Sequence, residues 1–297
     1  RSPGRQAWQR LRGDGAARFG LVTVAVLVLL ALAAPLLVRL NGWQPDAFDP
    51  SAIDQNLAGL PKGTLGGVSG SHWLGVEPVS GRDVFSRIVY GARVSLLISV
   101  LATVVSVLLG TVFGLLAGYL GGWSDAVISR AMDLLMSFPS LIFMIALISV
   151  LPDGNRLVLL VCVMGGFSWP YIGRIVRGQA MSVKHREYVD AARVGGALGG
   201  TILFREILPN ITAPILVYAT LAVPANIGVE AALSFLGVGV RPPTASWGQM
   251  IQESMGWYEV DPMYLLVPGT CLFVTVLAFT LLGDALRDAI DPKGAGR

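Results

Sequence analysis

The sequence predicts an all-α membrane protein with about six transmembrane helices. Three observations carry this. The 297 residues are 54% hydrophobic and only 14% charged, with mean hydropathy +0.65, against roughly 25% charged for a soluble domain. The apolar residues come in runs near the ~20 residues that cross about 30 Å of hydrocarbon at about 1.5 Å per residue. One long charged break, 174–210, interrupts those runs, with candidate spans on both sides.

The spans are drawn at 19–38, 94–118, 134–151, 157–173, 211–235 and 264–283. The first is too long for a signal-peptide core and has no small-residue cleavage site after it. Before it, segment 1–18 carries Arg1, Arg5, Arg10, Arg12 and Arg18 against one acid, Asp14. Lys and Arg collect in short cytoplasmic loops, so this segment is expected inside the cell. The chain begins at Arg1 rather than Met, and further sequence is expected before it. Counting spans then puts loop 39–93 outside, 174–210 inside, 236–263 outside and the tail 284–297 inside. The five spans after 93 form a core over 94–283. Two basic segments agree on this topology, and the acid-rich loop with Glu253, Glu259 and Asp261 falls outside. Arg82, Arg87 and Arg93 run against it.

Loop 39–93 is rich in Pro and Gly and ends in an amphipathic stretch. Val84, Phe85, Ile88 and Val89 share one helical face, and Arg82, Asp83, Ser86 and Arg87 the other. That pattern suits a short helix on the membrane surface, or a solvated loop whose amphipathic end packs on its own protein. In the second span Gly110, Gly114 and Gly118 recur every four residues, a spacing that lets helix backbones approach closely. Cys162 and Cys271 lie in apolar runs without metal-ligand spacing and are expected as small buried hydrophobes. His72 and His185 join no metal or nucleophile constellation.

The charged break holds Arg174, Arg177, Lys184, Arg186, Arg193 and Arg205, and reads as a docking element. Residues 183–194 lack helix breakers, with Ser182 as the expected cap and Gly195–Gly196 as the stop. A second helix is expected from Thr201 to Pro209, leading into the fifth span. Ala191 and Ala192 give the first helix a slim face for a groove on another protein.

The segment EYVDAARVGG…ILPN resembles the EAA loop of ABC-importer permeases. Four further stretches are similar to the C-type subunit of the dipeptide/oligopeptide permease family: 72–96, 118–140, 233–250 and 283–293. The likeness spans about 72–293. Asp190 stands where the motif name has Glu and keeps the charge. The resemblance implies a type I importer fold, with Glu187, Asp190, Ala191, Ala192 and Gly196 coupling to the ATPase. It implies a second homologous permease, two cytoplasmic ATPases and an external solute-binding protein as partners, in a bacterial cytoplasmic membrane with both termini inside. ATP and Mg would be held by the ATPases, leaving no cofactor in this chain. The sequence agrees, since it contains no GxxxxGK[ST] phosphate loop and no Gly-Lys dipeptide.

The implied function is half of a translocation path for di- or oligopeptides. A metal chelate or another small solute remains an alternative cargo, and a secondary transporter a more distant alternative. A secondary transporter would need coupling-ion carboxylates near the membrane middle, and Glu230 is the one acid well inside a span. Asn226 and Glu230, near Pro224 and Gly228, are the candidate path residues, with Glu230 bracing the outer loop as the other reading. A net charge of +3 implies no nucleic-acid partner. Arg130 and Asp133 are expected as an i, i+3 pair, and Asp284, Arg287, Asp288 and Asp291 as a solvated helix-ending tail.

Overall fold

The computed structural model describes residues 13–152 and 154–290. The N-terminal arginines at 1, 5, 10 and 12, and Asp291 of the tail, lie outside the described residues. Among the described residues five helices are long and apolar enough to cross a membrane, or six if a bent pair counts as one span.

Helix α1 (Gly15–Asn41) begins where the Asp14 carboxylate accepts from the Ala16 N–H at 2.9 Å and stops at Gly42, which is left-handed. A small antiparallel hairpin follows, β1 (Ile53–Asp54) with β2 (Leu60–Pro61). Helix α2 (Val84–Leu120) has 37 residues, about 55 Å long at 1.5 Å per residue. It outruns the hydrocarbon, so the expected surface helix does not exist as a separate element. Residues 84–93 are the first turns of α2, and Asp83 caps them by accepting from Ser86 N–H at 2.8 Å.

The third expected span is broken. Helix α3 (Gly122–Ser137) and α4 (Ser140–Val150) meet at 89°. Pro139 is the cause, because it drives the residue before it out of helical geometry, and Phe138 sits at φ −93, ψ 146. Helix α5 (Arg156–Val183) starts on the Asn155 cap and runs ten residues beyond the boundary drawn at 173. The charge that suggested a loop there is paired. The Arg177 guanidinium donates to Asp125 and that of Arg174 to Asp133, both on α3. Arg130 reaches Asp133 only at 4.0 Å, so the expected i, i+3 pair is the lesser partner.

Helix α6 (Glu187–Val194) starts at Arg186, not at Ser182, which lies within α5. Helix α7 (Gly199–Phe235) is continuous, so Thr201 caps nothing and Pro209 ends nothing. A π-helical turn over Ile202–Ile207 absorbs the proline. Pro209 has no N–H for the ladder, and the bonds before it re-register, Leu208 N–H donating to Leu203 O. Helices α8 (Trp247–Ser254) and α9 (Pro262–Ile290) are the last of the described elements.

Helix α2 packs most extensively on α5, and the glycine stripe explains it. A Cβ on Gly114 would stand 2.6 Å from Gly173 O, and one on Gly118 would stand 2.7 Å from Arg177 O. Of the cysteines, Cys271 is half-buried as expected in kind, but Cys162 is exposed on the outside of α5.

Candidate functional site

Three constellations stand out, two at opposite ends of the bundle and one between them. The first is the turn from α5 through α6 to α7. Val189 is fully buried among Leu115, Val176, Ile202 and Ile207, which fixes α6 to the bundle. Ala192 is half-buried against the same cluster, so it faces its own protein and not outward as expected. Glu187, Asp190 and Ala191 are exposed, with Asp190 accepting from Arg193 at 2.9 Å. Gly196 sits at φ +79, and Ala197 N–H donates to Ala192 O while Gly196 N–H donates to Arg193 O. That is a Schellman stop, which places Gly at the left-handed position. Sequence reading missed Val194 and Leu198, which are 90% and 79% exposed beside this stop. The available signal was two apolar residues flanking Gly-Gly within a charged loop. The loop is clamped at its other foot, where the Lys184 ammonium donates to Gly118 O at 2.9 Å.

The second constellation is a cavity of about 380 Å³ between the middle turns of α2, α4, α5 and α7. Ser106, Ser168, Tyr171, Tyr218 and Asn226 line it among apolar side chains, with no charged residue in its wall. Asn226 Nδ2 donates to Thr103 Oγ1 at 2.8 Å, and its Oδ1 accepts from Ser168 at 3.3 Å. The structure separates the two path candidates. Asn226 reaches the cavity wall, whereas Glu230 lies one turn further along α7, fully buried and outside the lining. Glu230 accepts from Ser234 at 2.8 Å, and the hydroxyls of Ser95 and Ser246 face it. The Ser234 hydroxyl in turn accepts from Val240 N–H at 3.0 Å, so this carboxyl group supports the turn after α7. Ser95, Ser99, Thr103 and Ser106 form a buried polar stripe on α2 that faces these residues.

The third constellation was not legible as a unit. Glu77 and Arg87 are buried, and Glu77 pairs with both Arg82 and Arg87. Arg87 also donates to Gln249 at 2.9 Å and to Glu253 at 3.1 Å, and Arg82 reaches Glu253. Burial pushes the Glu77 carboxyl up from its ordinary range, and the guanidiniums of Arg87 and Arg82 oppose that push. The cluster ties the 39–83 loop to α2 and α8. Nearby, buried His72 bridges Asp83 at 2.9 Å and Asp49 at 3.3 Å, and Asn41 donates to Asp83 at 2.8 Å. No group of His, Cys, Asp or Glu with metal-binding geometry occurs among the described residues.

Residues 110–295 match the family of binding-protein-dependent transport system inner membrane components, and residues 2–59 match the N-terminal transmembrane domain of oligopeptide transport permease C. The dipeptide transport system permease protein DppC of Alkalihalophilus pseudofirmus is 38% identical, covering 98% of this chain and 90% of that protein. The glutathione transport system permease protein GsiD of Salmonella typhimurium is 40% identical, covering 100% and 92%. The oligopeptide transport system permease protein OppC of the same species is 39% identical, covering 98% and 92%. The helical architecture, the EAA-like turn and both family matches lead to one assignment: the chain belongs to the family of binding-protein-dependent ABC-importer permeases, on its C-type dipeptide/oligopeptide branch.

Proposed function

We propose that this chain forms half of the path by which an ATP-driven importer carries di- or oligopeptides across a bacterial cytoplasmic membrane. A second homologous permease supplies the other half. The observation that carries the reading is the continuity of α7. One unbroken helix runs from the foot of the exposed turn at Gly199, past Tyr218 and Asn226 of the cavity, to Glu230. A push on α6 is therefore delivered to the cavity wall along one continuous helix. Two-state access needs a bias of only a few kcal/mol, which nucleotide binding to a partner can supply.

Docking falls to Glu187, Asp190, Ala191, Val194 and Leu198, an apolar patch edged by acids, on which one of two ATPases sits. Ala192 and Gly196 set the shape of that turn. The turn and both termini lie in the cytoplasm, and the 39–83 and 236–261 segments face the solute-binding protein. Two of the three arginines that fit this sidedness least, Arg82 and Arg87, are neutralised by Glu77 and Glu253. Peptide cargo is supported by the uncharged cavity wall, whose hydroxyls and the Asn226 amide suit peptide groups whatever the side chains. The relatives named above carry dipeptides, oligopeptides and glutathione in their names, all of them peptides.

A cysteine at Ala191 or Val194 should crosslink to the ATPase in the assembled importer, whereas one at Tyr171 should not. Absence of the first crosslink with an intact complex would remove this docking surface. The isolated chain should neither bind nor hydrolyse ATP, because ATP and Mg belong to the ATPase partners. Stoichiometric nucleotide binding in equilibrium dialysis would contradict that division.

A further inference from the structure

The polar stripe of α2 behind the cavity has its hydroxyl hydrogens already committed. Ser99 donates to Ser95 O at 2.7 Å, Thr103 to Ser99 O at 2.8 Å and Ser106 to Thr103 O at 2.9 Å. Each hydroxyl bonds back to its own helix, so toward any other neighbour it can only accept. That decides which way round the Asn226 amide lies. Its Nδ2 donates to Thr103 Oγ1 at 2.8 Å. Turned over, its Oδ1 would face an oxygen with no hydrogen left to give. Two acceptors would then meet at a place where Asn226 is 3% and Thr103 5% exposed. Ser168 holds the other end of the amide, its hydroxyl donating to Oδ1 at 3.3 Å. Asn226 of α7 is therefore tied to α2 and to α5 at once, with its orientation set by Thr103. A side-chain amide has two N–H and two oxygen lone pairs. One of each is engaged here and one of each remains, on a residue that stands in the cavity wall. A peptide group offers the complement, one C=O and one N–H.

We infer that Asn226 reads the peptide group of the cargo, donating to its carbonyl oxygen and accepting from its N–H, and that Thr103 is the positioning residue that holds the amide in that sense. This rests on the peptide-import reading above and deepens it, because it makes the path itself distinguish an amide from an ester. An ester keeps the carbonyl but carries an oxygen in place of the N–H. Asn226 Oδ1 then loses a donor and faces lone pairs instead.

The test compares ATP-dependent uptake of alanylalanine and of its ester analogue alanyl-lactate into proteoliposomes holding the whole importer. Each cargo is supplied at saturation with the same binding protein. Any preference of the binding protein is common to all variants, so a change in the amide-to-ester rate ratio reports the path alone. Thr103→Val keeps the shape but cannot accept from Asn226, and it should lower that ratio about fivefold, the scale of one net hydrogen bond. Thr103→Ser keeps the accepting oxygen and should keep the parent ratio. Ser168→Ala releases the other end of the amide and should lower the ratio too, and it carries the test if Thr103→Val does not assemble. A residue that only braced α2 against α7 would slow both cargoes alike. An unchanged ratio in Thr103→Val, or in Ser168→Ala where that variant stands in, would overturn the inference, as would a lowered ratio in Thr103→Ser. Peptide uptake by the parent would leave the proposed function standing in either case. Failure of the parent importer to take up the dipeptide would overturn that function and this inference with it.

Discussion

Arg87→Met should destabilise the permease by about 3–5 kcal/mol, the scale for removing one partner of a buried charge network. Arg87 has no exposed surface and Glu77 only 1%. With Arg87 gone, two carboxylates, Glu77 and Glu253, share the single guanidinium of Arg82, and Gln249 loses its donor. The surplus negative charge falls on Glu77, which is buried, and on the half-buried Glu253 beside it. The loop 39–83 should then detach from α8, and proteolysis of the loop should accelerate. Arg87→Met combined with Glu77→Leu should recover much of the loss, since residues in one network do not contribute additively. Thermal unfolding of the purified importer checks both. An unshifted midpoint for Arg87→Met would mean that the cluster does not hold the loop.

Gly114→Leu should prevent stable packing of α2 on α5. Its Cβ alone would stand 2.6 Å from Gly173 O and 2.8 Å from the Cβ of Val176. The first obstacle is backbone, which cannot rotate away. Overpacking usually costs about 1–3 kcal/mol, and a contact between two helix backbones belongs at or beyond the top of that range. Gly178→Ala on α5 is the control, because nothing lies within 4 Å of its Cβ. The measurement is the yield of assembled importer by size-exclusion chromatography. Equal yields from the two variants would contradict the close approach.

Much of the architecture was legible because the membrane imposes simple rules. Runs of about 20 apolar residues, a four-residue glycine period and a Gly-Gly stop each have one physical reading, and α1, the α2–α5 contact and the end of α6 follow them. The differences arise where a long-range partner changes what a residue means. Arg174 and Arg177 look like loop residues until Asp133 and Asp125 of α3 pair with them, and α5 then continues to Val183. Arg82 and Arg87 look solvated until Glu77 and Glu253 are brought beside them across 5 to 171 residues of chain. Pro209 looks like a stop until a π turn accommodates it. Asn226 and Glu230 both read as polar groups in an apolar helix. Their separation, one on the cavity wall and one among serines, depends on the rotation of α7 against α2. Ala192 turns inward for the same reason: only the packing of Val189 decides which face of α6 is free.

In the proposed function, ATP hydrolysis by a docked partner drives peptides through this chain's cavity by way of the turn around α6. The most direct measurement is uptake of a labelled dipeptide into proteoliposomes holding this chain, the partner permease and the ATPases, with the binding protein added. Val194→Asp combined with Leu198→Asp should leave the two permeases assembled and remove ATP-dependent uptake, with the ATPases released from the complex. Undiminished uptake by that variant, or uptake by the permease pair without any ATPase, would contradict the account.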